Sequence, residues 1–105
     1  MGVQRERLSN RRASIGFDVQ ALGMRFRASV SHFDDGRLAE IFLDGVKVGS
    51  AADAAARDSA ITASIAMQFG ADIETIRKAL CRDAYGKAVG PLTAALDQLA
   101  EEETT

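Results

Sequence analysis

Met24-Arg25-Phe26-Arg27-Ala28-Ser29-Val30-Ser31 alternates apolar and polar residues without a break, and this stretch decides the fold. A period of two sets Met24, Phe26, Ala28 and Val30 on one face and Arg25, Arg27, Ser29 and Ser31 on the other. That is the pattern of a strand with one buried face. Upstream the same alternation runs from Ser14, with Ile15, Phe17 and Val19 inward and Gly16, Asp18 and Gln20 outward; Ala21-Leu22-Gly23 makes a short turn. Downstream, Asp34-Asp35-Gly36 is a hairpin signal, because Asp and Gly tolerate the positive φ of tight turns. A third strand is expected over residues 37–44, with Ala39, Ile41 and Leu43 opposite Leu38, Glu40 and Phe42. Both of its faces are partly apolar, so its expected place is central or beneath helices. Three strands with short connections make an antiparallel meander.

The texture changes at Gly45. Gly45-Val46-Lys47-Val48-Gly49 reads as a loop, and Ser50 as an N-cap whose hydroxyl satisfies a free helix amide. Asp53, three residues on, suits the positive end of the helix dipole. The helix should reach about Phe69, with Gly70 as its stop. Its apolar set is Ala52, Ala55, Ala56, Ala60, Ala63, Ala66 and Met67, flanked by Ile61, Ile65 and Phe69. So many alanines permit close approach to a sheet or to another helix, including a helix-to-helix dimer contact. A second helix starts at the N-cap Asp72, carries Ile73, Ile76, Ala79 and Leu80, and ends near Cys81. Residues 83–87 form a turn-rich connector. Gly90-Pro91 opens a third helix with the stripe Leu92, Ala95, Leu96 and Leu99, since proline at the first helical position wastes no amide. The expected fold is therefore α+β: an antiparallel three-stranded meander followed by three helices packed on one sheet face. The organisation is a flexible basic arm at 1–13, one domain at 14–100 and an acidic tail at 101–105.

The composition fits that plan and narrows the chemistry. The chain has 105 residues, 47% of them apolar and 27% charged, which is an ordinary soluble globular composition. A single Cys excludes an internal disulfide and any all-Cys metal site. No apolar run approaches the roughly 18 residues of a membrane span, and no signal peptide follows the basic N-terminus, so the expected compartment is the cytoplasm. The net charge of −2 hides an asymmetry: residues 1–13 carry four arginines against Glu6, and residues 97–105 carry four acids with no base. A basic arm can contact phosphate or an acidic protein surface, or can be a solvated terminus. The acidic end reads as the solvated end of a helix.

Several residues could carry function. Lys47, Gly49 and Ser50 lie at a strand-to-helix junction, where free amides, glycines, a lysine and a hydroxyl can hold an anion or phosphate. The spacing is not that of a P-loop, whose Lys follows the second Gly. The plain alternative is a turn and an N-cap with Lys47 in solvent. Cys81 could be a thiolate nucleophile or a lone metal ligand beside Arg82, although a buried inert thiol is the commoner case. His32 has no identifiable partner. Asp34 and Asp35 are explained by their turn, Arg57 and Asp58 by a solvent-facing helix surface, and Arg77, Lys78 and Arg82 by the negative end of a helix. Arg5, Arg7, Arg11, Arg12, Arg25 and Arg27 could together form a nucleic-acid-contacting surface, with no interleaved aromatics for base stacking.

The ordered series formed by Gly36-Arg37-Leu38-Ala39-Glu40-Ile41-Phe42-Leu43, the loop 45–50, the Ala-rich helix, Gly70, the short helix and Cys81 resembles the TSCPD domain. This domain occurs near the C-terminus of cobalamin-dependent (class II) ribonucleotide reductases and as small standalone proteins. The resemblance runs from Asp35 to Leu96. Cys81 looks like the earlier of two family cysteines that are well placed to bind metal together. The later Thr-Ser-Cys-Pro-Asp segment is reduced to Val89-Gly90-Pro91-Leu92, so a metal site resting on both cysteines does not carry over and Cys81 is left as the lone candidate ligand. Adenosylcobalamin is implied only for the larger relatives, whose radical chemistry needs a thiyl-radical Cys, a redox Cys pair and a large barrel. The expected function is a non-catalytic accessory or regulatory domain that binds a protein, such as a ribonucleotide reductase, or a nucleotide-like anion, with a homodimer as the expected assembly. The alternatives are a nucleic-acid-binding module built on the basic arm and a small enzyme using Cys81.

Overall fold

The computed structural model describes residues 4–45, 47 and 49–103. Val46 and Val48 of the loop, the first three residues of the arm and the last two of the tail lie outside the described residues. The element order is β1 (Ile15–Ala21), β2 (Met24–His32), β3 (Leu38–Gly45), α1 (Ala51–Gln68), α2 (Ile73–Ala79) and α3 (Pro91–Glu103). The strands form one antiparallel sheet in the order β1-β2-β3. The expected α+β meander followed by three helices is what the chain adopts.

One sheet face carries the core. Val19, Phe26, Ala28, Val30, Ala39, Ile41 and Leu43 pack against Ala56, Ala60, Ala63 and Met67 of α1 and against Leu92, Ala95 and Leu96 of α3. The alternation read from the sequence therefore sorts the faces correctly along most of each strand. It fails at the strand ends, where Ile15 is 56% and Met24 40% exposed.

β3 is an edge strand, not a central one, and α1 lies along it. In an antiparallel pair, alternate residues turn their backbone groups away from the neighbouring strand. On β3 four of those outward groups meet side chains of α1. Ile41 N–H donates to Ser64 Oγ at 2.8 Å, and the Ser64 hydroxyl lies 2.9 Å from the carbonyls of Ile41 and Ala60. Gln68 Nε2 donates to the Ala39 carbonyl at 3.0 Å, and Gly45 N–H donates to Asp53 Oδ1 at 2.7 Å. A helix thus occupies the place of a fourth strand and satisfies backbone groups that would otherwise be buried without partners. Small side chains make the approach possible: Ala56, Ala60 and Ala63 are buried beneath the helix. Gly45 adds to the close fit, since a Cβ there would crowd Asp53 Cβ at 3.2 Å.

Ala56, Ala60 and Ala63 are therefore consumed inside the chain, whereas Ala55, expected on the same face, is exposed. Ile61, Ile65 and Phe69, expected as its flanks, are exposed. The helix ends as its sequence requires, with Phe69 as C-cap and Gly70 at φ 103°. α2 has Asp72 as N-cap, its side chain accepting from Glu74 N–H, and closes at Leu80.

Candidate ligand-binding site

The loop between β3 and α1 is organised around Asp53. This carboxylate is 3% exposed and accepts from Gly45 N–H at 2.7 Å and Gly49 N–H at 3.2 Å, while Arg57 Nε lies 3.1 Å from Oδ2. The two amides, and secondarily Arg57, hold the Asp53 carboxyl below the usual carboxylate range. Ser50 Oγ accepts from Asp53 N–H at 3.1 Å, which is the expected N-cap bond. The two described glycine amides that would cradle an external anion are thus turned onto an internal one. Arg57, read as a solvent-facing residue, spans from Asp53 to Asp44, with Nη2 2.9 Å from Asp44 Oδ1.

Lys47 stays on the surface, and the structure brings it together with Arg25. Both border a hollow of about 320 Å3 floored by Met24, Phe26 and Ala52 and edged by Ser50 and the anionic Asp53. Neither cation forms an ion pair among the described residues. The sequence placed these cations in separate readings, the loop and the basic arm; β2 and the β3–α1 junction unite them.

The remaining candidate residues are dispersed. Arg5 Nε donates to Gln68 Oε1 at 2.6 Å, and Arg12 pairs with the buried Glu40 at 2.6 Å, so two of the arm's arginines are engaged internally. Glu6 N–H also donates to the Gln68 carbonyl at 2.7 Å, which lays the arm against the end of α1. Arg27 pairs with Asp18 on the exposed sheet face. Arg7 and Arg11 are exposed.

Arg77 and Arg82 do not simply answer a helix dipole: they clasp Asp97 of α3. Arg82 lies 2.8 Å from both carboxylate oxygens and Arg77 lies 3.0 Å from one, and Glu74 holds the other side of Arg77. Arg82 first, and Arg77 second, hold the Asp97 carboxyl below its ordinary range. Asp97 is therefore a locking residue between α2 and α3, not part of a solvated acidic end.

Cys81 is exposed, contrary to the expectation of a buried thiol, because α2 closes at Leu80 and the chain turns outward. It begins a small hairpin in which Arg82 and Ala88 bridge and Val89 N–H donates to the Cys81 carbonyl at 3.4 Å. His32 ends β2, and no hydrogen bond joins it to Cys81 among the described residues. No group of three His, Cys, Asp or Glu side chains suited to a metal occurs among the described residues. A hollow of about 750 Å3 between β1 and α3 is lined mostly by polar and charged side chains such as Asp18, Lys87, Asp97 and Glu101.

Sequence reasoning missed Ser64, Gln68 and Asp97. The signal for the first two was present: polar residues four apart on the same helical face as Ala60. No described helix is long and apolar enough to cross a membrane.

Comparison with known proteins finds no matching family model and no matching solved structure. Over 71 residues, 68% of its length, the chain is 35% identical to the vitamin B12-dependent ribonucleotide reductase of Agrobacterium fabrum strain C58. It spans only 6% of the length of that protein. The chain thus carries a domain related to a short segment of a vitamin B12-dependent ribonucleotide reductase.

Proposed function

We propose that this chain is a non-catalytic accessory domain of the TSCPD type that works in the cytoplasm by binding, with a ribonucleotide reductase as protein partner and a nucleotide-like anion as ligand. The similarity to a short segment of the reductase carries this reading. The match covers only 6% of that enzyme's length, which supports a role as a module beside the reaction and not as the whole of it. The hollow bordered by Arg25 and Lys47 supports the anion side of the reading. Its two cations are available to a ligand phosphate, its floor to a base or sugar, and Ser50 stands at its edge.

Thermal unfolding of the purified protein in inorganic phosphate, nucleoside triphosphates or cobalamin tests the ligand. A ligand at about 100 times its Kd stabilises by about 2.7 kcal/mol, several degrees in Tm for a domain of this size. Nucleotides are expected to raise Tm, and the Arg25→Ala/Lys47→Ala double variant to abolish the rise. A chain unmoved by any of the three has no anion ligand of this kind and acts through protein contacts alone.

A further inference from the structure

The two edges of the sheet are treated oppositely. The β3 edge is sealed by Asp53, Ser64 and Gln68 of α1. The β1 edge is open. Leu22 and Gly23, with φ of 56° and 69°, form a two-residue turn that makes Ala21 and Met24 a hydrogen-bonded pair. By alternation, Gly16, Asp18 and Gln20 then direct their N–H and C=O groups away from β2. All three residues are exposed, and no other element supplies a partner to these groups among the described residues.

The side chains along that edge are self-complementary. Arg27 lies across from Asp18, with Nη1 3.2 Å from Oδ1. Its guanidinium also lies over Gly16, with Nη2 2.6 Å from the point a Cβ would occupy. A bare glycine under a cation thus stands two residues from a carboxylate on the same strand face. When β1 pairs antiparallel with β1 of a second copy about a two-fold axis through Phe17, Gly16 of each copy faces Asp18 of the other. Each Arg27 then sits between its own Asp18 and that of the second copy. On the opposite strand face, Phe17 meets its counterpart and Ile15, 56% exposed, lies beside Val19 of the second copy. An axis through Asp18 would instead oppose two carboxylates, which disfavours that register.

We propose that β1 is a homodimerisation edge, pairing with β1 of a second copy in the Phe17-centred register to form a continuous six-stranded sheet. The pairing is independent of the reductase relationship and of the Arg25–Lys47 hollow. Light scattering and sedimentation on the full chain test it with charge exchange. The unaltered chain is expected to be a dimer. Asp18→Arg alone and Arg27→Asp alone place like charges across the axis and weaken the dimer at least about tenfold. An equimolar mixture of the two variants recovers dimers, because Arg27 of the Asp18→Arg chain meets Asp18 of the Arg27→Asp chain and the two introduced charges meet as the reversed pair. Recovery on mixing also shows that both variants are folded. A monomeric parent chain at the concentrations of an NMR sample, single variants that remain dimeric, or a mixture that stays monomeric would each overturn the proposal.

Discussion

Ala60→Leu is expected to destabilise the chain by about 3 kcal/mol, at the upper end of the range for overpacking, and to lower Tm by roughly 10–20 °C. Ala60 is 0% exposed, in the middle of the helix that seals β3. Three added carbons have no free volume there, since interiors pack at crystal-like density. The helix must lift, and lifting it lengthens the bonds that join Ser64 to Ile41 and Gln68 to Ala39. Unpaired buried backbone groups then add their desolvation cost to the steric one. The control is Ala55→Leu on the exposed side of the same helix, expected to stay within about 0.5 kcal/mol of the parent. Urea denaturation of the three chains measures the difference, and equal midpoints would mean that α1 does not seat against β3 as described.

Asp53→Ala is expected to be the most damaging single change in the loop, with Asp53→Asn intermediate. Alanine leaves Gly45 N–H, Gly49 N–H and Arg57 without their shared acceptor, whereas asparagine retains one acceptor oxygen. The pH dependence distinguishes the charge from the shape. The carboxyl is held lower in the folded chain than in the unfolded one, so its contribution is fully present above the unfolded value. It is lost as pH falls through the folded value. The stability gap between the parent and Asp53→Asn should therefore be constant near neutrality and close below about pH 4. A gap unchanged in acid would assign the role of Asp53 to packing. Denaturant midpoints across pH, with near-ultraviolet spectra to monitor the fold, provide the measurement.

The parts of this structure legible in the sequence are those set by neighbours along the chain. Strand faces follow from alternation, the Asp34-Asp35-Gly36 hairpin from turn chemistry, and the limits of α1 from Ser50 and Gly70. The sealing of β3 is not local: Ser64 and Gln68 meet strand backbone groups 23 and 29 residues away. Neither polar side chain states its partner in sequence. The apolar content of both faces of β3 suggested a place at the centre or beneath helices; the strand lies beneath α1 at the sheet edge, and on its other face Arg12 covers Glu40 while Phe42 stays 46% exposed. At the candidate site, Lys47 and Ser50 were legible from their junction, while the way Asp53 captures the Gly45 and Gly49 amides was not. Asp97 was read as part of a charged end because its partners, Arg77 and Arg82, precede it by 20 and 15 residues.

The central claim is that this chain binds and that a larger reductase performs the chemistry. Its most direct test uses the Agrobacterium enzyme with the matching segment excised, assayed for ribonucleotide reduction and for binding, with this chain added in trans or grafted in place of the missing segment. The prediction is that the excised enzyme binds the chain and recovers part of what the excision cost, while the chain alone turns over no ribonucleotide. Turnover by the chain alone, or an excised enzyme that neither binds it nor recovers with it grafted, would contradict the claim.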